Sequence, residues 1–125
     1  MILGLGIDLL ENRRVERELS RGEWLPHDGI FTPEEISYCN SARRPALRYA
    51  ACFAAKEATL KALGVRVSDL GMFREVEVKL GMDSGCKIVL HDRLKAESKQ
   101  LGVQHIQLSI THSANQTGAV VILEA

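Results

Sequence analysis

The stretch from Pro45 to Gly64 constrains the fold most: it is Ala-rich, carries no internal Gly or Pro, and is bounded by a residue type that starts helices and one that ends them. It predicts one long helix, the longest element in the chain. At about 100° per residue, Leu47, Ala50, Phe53, Ala54, Ala58 and Leu60 share one side of that helix, and Glu57 and Lys61 fall among them. An inward carboxylate is costly unless it is paired or holds a metal. The two charges therefore mark either a site or an ordinary exposed i,i+4 pair, which supports a helix by about 0.2–0.5 kcal/mol.

The flanking segments set the class. Met1–Leu10 is rich in Ile and Leu, with Gly4 and Gly6 interleaved and Asp8 as its only charge, which predicts a buried strand closely approached by another backbone or a ligand. Helix signals run from Asn12, a candidate N-cap, to about Ser20, with Gly22 beyond. Thr32-Pro33-Glu34-Glu35 combines a Thr cap, Pro at the first helical position and Glu at the place that closes a capping box, so a short helix runs to about Asn40. Glu75–Leu80 alternates polar and apolar, and with Cys86–Leu90 across Gly81-Met82-Asp83-Ser84-Gly85 it predicts a hairpin. His91–Leu101 is an amphipathic helix stopped by Gly102. His105–His112 and Gly118–Leu123 are two further strands joined by the polar turn 113–117. The class is α+β, with a mainly antiparallel sheet and a long Ala-rich central helix.

A chain of 125 residues buries a core as a single domain, here 1–125. Sixteen basic and sixteen acidic residues cancel, so there is no global field of the kind that marks nucleic-acid or membrane binders, and a charged partner must meet a local patch. Cys39, Cys52 and Cys86 are odd in number and widely spaced, which argues against a disulfide framework or a zinc site and for reduced thiols. The N-terminal apolar run is short, holds Asp8 and lacks a basic leader, so neither a signal peptide nor a membrane span is expected. A soluble cytoplasmic protein fits.

Asp8 and Glu57, with Lys61 one helical turn further on, form the constellation with the most chemistry. Magnesium takes one or two protein carboxylates, keeps several waters and completes its shell with phosphate oxygens, and a nearby lysine suits a diphosphate. Asp8 also fits a strand-end residue that caps the following turn. His112, at the end of an alternating strand, is placed for a phosphate contact, for acid/base work or for a structural role. His27, His91 and His105 lack spaced partners. Gly4-Leu5-Gly6 is not a dinucleotide fingerprint, and no nucleophile elbow is present.

Gly6-Ile7-Asp8-Leu9-Leu10-Glu11, Phe31-Thr32-Pro33-Glu34-Glu35, Phe53-Ala54-Ala55-Lys56-Glu57-Ala58 running into Lys61-Ala62-Leu63-Gly64, Glu75-Val76-Glu77-Val78 and Ser109-Ile110-Thr111-His112-Ser113 occur here in order. Together they resemble the holo-acyl-carrier-protein synthase family of 4′-phosphopantetheinyl transferases over essentially the whole chain. The resemblance implies transfer of the phosphopantetheine arm of coenzyme A to a serine of an apo acyl carrier protein, with release of adenosine 3′,5′-bisphosphate, in fatty acid or polyketide synthesis. It also implies a homotrimer with active sites between subunits. Asp8 and Glu57 would hold Mg2+ on the coenzyme A diphosphate, and Lys61 would contact the same phosphates. Gly64, Arg48 and His112 would join Lys61 in binding coenzyme A, and Glu57 or a metal-bound water would take the serine proton. The nucleotide end departs from the pattern: Cys52 stands where many relatives have Arg, Val65-Arg66 replaces a common Thr-Gly, and Gln116 a frequent Tyr. Arg43, Arg44, Arg48 and Arg66 are the candidate replacement cations.

Arg13, Arg17 and Arg21 recur at i,i+4 after Asp8, with Arg14 beside them. The stripe is either a solvated face partly neutralised by Glu16, Glu18 and Glu23 or, as the resemblance implies, the surface that receives an acidic carrier protein.

Overall fold

A long helix lies across an antiparallel sheet, and two glycines on the neighbouring strand set how closely. The computed structural model describes residues 1–23, 29–81 and 85–125. In chain order these form β1 (Ile2–Glu11), α1 (Asn12–Ser20), α2 (Pro33–Asn40), α3 (Pro45–Leu63), a 3-10 helix (Leu70–Glu75), β2 (Val76–Leu80), β3 (Cys86–Leu90), α4 (Asp92–Leu101), β4 (His105–His112) and β5 (Gln116–Glu124). His27 and the tip of the expected β2–β3 connection, residues 82–84, lie outside the described residues.

The strands form two antiparallel sheets, one ordered β1-β5-β4 and the other β2-β3. Expectation and structure agree on the antiparallel α+β class, with the strands divided between two sheets. In the larger sheet β5 is central, pairing Asp8 with Ala119 on one side and His112 with Thr117 on the other. Side chains alternate across a strand. Gly4, Gly6, Asp8 and Leu10 therefore face α3, while Leu5, Ile7 and Leu9 face away, each 60 % exposed or more. A Cβ at Gly6 would stand 1.8 Å from the Ala58 carbonyl oxygen, and one at Gly4 2.1 Å from that of Ala62, so only glycine allows this contact. Ala54, Ala58, Ala119, Val121 and Leu123 fill the seam.

The helix ends follow their local chemistry. Thr32 and Glu35 close a full capping box at the start of α2, and Gly64 ends α3 with φ 69°, the left-handed geometry that glycine adopts without strain. Asn12 departs from expectation. It is the first residue of α1 and not its cap; Glu11 holds the cap position without a side-chain bond, because the Asn12 amide, 3 % exposed, is committed to the β4–β5 turn.

Candidate active site at the β1–α3 contact

The close approach of β1 to α3 brings Asp8 beside the last turns of the helix. Lys61 Nζ donates to the Ile7 carbonyl at 3.0 Å and to Asp8 Oδ1 at 3.2 Å. Asp8 Oδ2 is buried and has no hydrogen-bond partner among the described residues. The Glu57 carboxyl is pushed above its ordinary pKa, first by burial and then by the negative charge of Asp8, while Lys61 and Arg14 pull it back. Two partly buried carboxylates thus meet with one ammonium, and one of their oxygens is unsatisfied.

That donor set fits a hard divalent cation. Carboxylate oxygens are the ligands magnesium prefers, excess negative charge would be relieved by it, and the orphaned Asp8 Oδ2 would gain a partner. No cluster of three or more His, Cys, Asp or Glu suited to a metal occurs among the described residues. A cation held by Asp8 and Glu57 alone keeps most of its shell for water and phosphate oxygens.

The inward placement of Glu57 and Lys61 needs correcting. The Lys61 side chain is 54 % exposed and Glu57 is half-buried, whereas the α3 charge that lies inside the core is Lys56, with no exposed surface. Lys56 Nζ donates to the carbonyls of Phe73 at 2.9 Å and Val76 at 2.6 Å and pairs with Glu35 Oε1 at 2.8 Å. Glu35 also accepts from the backbone N–H groups of Thr32 and Val78. The capping-box acid of α2 thereby fastens α2, α3 and β2 together. A helical wheel does not find Lys56, because α3 packs against β1, β5, β4, β2, α1 and α2 and is buried on most sides.

Arg48 and His112 come together elsewhere. Both line an open cleft of about 360 Å³ with Tyr38, Leu47, Ala51 and Ile110. Arg48 donates to the Tyr38 carbonyl at 2.7 Å and to Ser41 Oγ at 3.1 Å, and its guanidinium lies 4.1 Å from the Tyr38 ring centre, so its charge is held at the cleft wall. Asp8 and His112 occupy the α3 side of the sheet, two strands apart and two residues out of step, so their backbones are roughly 12 Å apart. Gly64 sits in the open just past Lys61. Cys52 is in the core with its Sγ 3.8 Å from that of Cys39. Of the other candidate cations, Arg44 contacts Glu16 at 3.4 Å, and Arg43 and Arg66 are exposed.

On α1, Arg13, Arg14 and Arg17 are all exposed, as is Arg21 at its C-cap. Arg14 bonds Glu18 at 2.9 Å and Arg21 approaches Glu23 at 3.9 Å, whereas Arg13 and Arg17 have no acidic partner among the described residues. Arg14 also acts on Glu57 through its charge, which ties the stripe to the carboxylate cluster.

Residues 4–121 match the family model of the 4′-phosphopantetheinyl transferase superfamily. The chain is 39 % identical to the holo-[acyl-carrier-protein] synthase of Geobacter sp. (strain M21) over 124 residues, 99 % of each chain. Among solved structures, that of the holo-[acyl-carrier-protein] synthase from Neisseria meningitidis superimposes with a TM-score of 0.87 at 26 % identity over the whole of both chains. The Bacillus anthracis enzyme, solved in complex with CoA (3′,5′-ADP), gives a TM-score of 0.78 at 28 % identity, covering 100 % of this chain and 98 % of that one.

Proposed function

The chain belongs to the 4′-phosphopantetheinyl transferase superfamily, and from that membership we propose that residues 1–125 act as one transferase domain with its reaction centred on Asp8, Glu57 and Lys61. The activity is that of a holo-[acyl-carrier-protein] synthase: 4′-phosphopantetheine passes from coenzyme A to a serine of apo acyl carrier protein, and adenosine 3′,5′-bisphosphate leaves. The unsatisfied Asp8 Oδ2 beside the raised Glu57 carboxyl carries the reading of the site.

Asp8 and Glu57 would hold Mg2+, which would supply charge neutralisation at the diphosphate oxygens. Lys61, steered by its bonds to Ile7 and Asp8, presents its ammonium to the same phosphates and to the departing bisphosphate. The carrier serine oxygen forms a bond to the β-phosphorus as the bond from that phosphorus to the bridging oxygen breaks. Glu57, or a water held beside it, accepts the serine proton. Gly64 leaves the end of α3 open beside Lys61, and Arg48 and His112 bind the nucleotide end of coenzyme A in their cleft, where Arg48 supplies the cation that Cys52 does not.

Two features support assembly into a homotrimer with sites between subunits. Leu5, Ile7 and Leu9 form an exposed apolar row on the outer sheet face, and the cleft beside them, about 220 Å³, is bounded by Gly118 and Val120 of β5 and Thr111 of β4. The basic stripe of α1 is the surface for the acidic carrier. No helix among the described residues is long and apolar enough to cross a membrane, and a cytoplasmic location suits the substrates.

The deciding experiment incubates the protein with coenzyme A, Mg2+ and apo carrier protein and weighs the carrier by mass spectrometry. A phosphopantetheine mass gain that disappears in Asp8→Asn and Glu57→Gln is the expected result. Cleavage of coenzyme A with unmodified carrier would mean a hydrolase, and binding without turnover a carrier or nucleotide module. Mg2+ should raise the melting temperature of the wild type and of neither variant, since a ligand bound only by the native state stabilises it by about 1.4 kcal/mol at ten times Kd.

A further inference from the structure

Asn12 makes more long-range hydrogen bonds than its place at the start of a surface helix requires. Its amide nitrogen donates to the carbonyls of Ser113 and Ala114, both at 3.2 Å; its Oδ1 accepts from the Thr117 hydroxyl at 2.7 Å; and its backbone N–H donates to the Asn115 carbonyl at 2.9 Å. One residue thus takes up partners along the whole β4–β5 turn. Asn12 and Thr117 are 3 % and 1 % exposed, so the bond between them lies away from competing water, while those to Ser113 and Ala114 are partly buried. The turn is closed internally as well: Ser113 N–H donates to the Gln116 carbonyl at 2.8 Å, and Ser113 Oγ accepts from the backbone N–H groups of Asn115 and Gln116.

His112 sits inside this clamp. Thr117 is its directly opposed cross-strand partner, so the two side chains share a sheet face, and Ser113 is its neighbour in the chain. Asn12 holds the residue after His112 through a carbonyl and the residue across from it through a hydroxyl. We propose that Asn12, with Thr117, is a positioning residue that locks the β4–β5 turn so that His112 is presented to coenzyme A. The proposal rests on the assignment of His112 to coenzyme A given above. Asn12 itself touches no substrate. A free turn would let the imidazole sample several directions, and an interaction made in only a fraction of them weakens apparent binding by that fraction.

The test is a double-variant cycle read in the KM for coenzyme A. Asn12→Leu, similar in shape but without the amide, should raise that KM on the order of tenfold with the carrier KM little changed, and should add less than twofold on a His112→Ala background. Thr117→Val should reproduce a smaller part of the effect, and Thr117→Ser, which keeps the hydroxyl, should match the wild type. The His112 ring-proton resonance, assigned with His112→Ala, should move in Asn12→Leu. Equal effects of Asn12→Leu with and without His112, or an unmoved His112 resonance, would overturn the clamp while leaving the transferase reading intact. A His112→Ala protein with unchanged coenzyme A KM would overturn the assignment of His112 and this proposal with it. A melting temperature lowered in Asn12→Leu with both KM values unchanged would reduce Asn12 to a structural residue and overturn it too.

Discussion

Lys56 Nζ and Glu35 Oε1 lie 2.8 Å apart with neither side chain more than 1 % exposed, and this buried pair holds α2 against the helix that presents Glu57. Burial pulls the Lys56 pKa below its ordinary value, opposed by the Glu35 charge. Lys56→Met leaves the Glu35 carboxylate buried without its cation and should cost about 3–5 kcal/mol. Lys56→Met combined with Glu35→Gln should recover part of that loss, as measured by urea denaturation. A Lys56→Met protein as stable as wild type would show that the pair is dispensable.

Glu57 gives a signed pH dependence. Its folded pKa lies above the 4.5 of an unperturbed glutamate, so between that value and the raised one the native state binds more protons than the unfolded chain. In the absence of metal, the contribution of Glu57 to stability is therefore expected to fall as pH rises through the window just above 4.5, against the opposite contributions of Glu77 and Asp69, whose pKa values are lowered. Relative to wild type, Glu57→Gln should remove that falling contribution, and Asp8→Asn should reduce it by removing the second cause of the shift. Denaturant midpoints taken from pH 4 to 7 in chelator, on the order of half a pH unit apart, resolve the slope. A Glu57→Gln midpoint that runs parallel to the wild type across the same window would contradict the placement of Glu57.

The apolar outer row predicts an assembly. Light scattering should give a trimer at micromolar concentration, and Leu5→Glu with Ile7→Glu should yield monomers, because like charges on an interface cost far more than on an open face. Those monomers should fold, since both side chains point away from the core, yet lose most transfer. Full activity in a monomer would place the complete site within one chain.

Carrier docking is best tested with Arg17→Glu and Arg21→Glu, because Arg14 also influences Glu57 and would confound the result. The carrier KM should rise roughly tenfold and lose much of its salt dependence, since exposed charges are screened beyond about 8 Å at physiological ionic strength. The coenzyme A KM should not move. Unchanged carrier kinetics from low to high salt would return the stripe to an ordinary solvated face.

Much of this protein was legible in its sequence because the relevant chemistry is local. The capping box of Thr32 and Glu35, the span of α3 from Pro45 to Gly64, the alternating strands and the need for Gly4 and Gly6 where a backbone comes close all depend on a residue and its near neighbours, or on a side chain being absent. The motifs also brought Asp8, Glu57 and Lys61 to notice before anything showed that they meet.

Tertiary structure alone decided which charge lies inside and which polar residue serves as a strut. Lys56 is buried and Lys61 is not because α3 is enclosed by six other elements, which erases the one-sided periodicity that a wheel reads. Asn12 carries the marks of a helix cap, yet its partners stand 101 to 105 residues away, and only the pairing of β5 with both β1 and β4 brings them within reach. A hydrogen bond selects by distance in space, and spacing along the chain bears on that only within a turn or two of backbone.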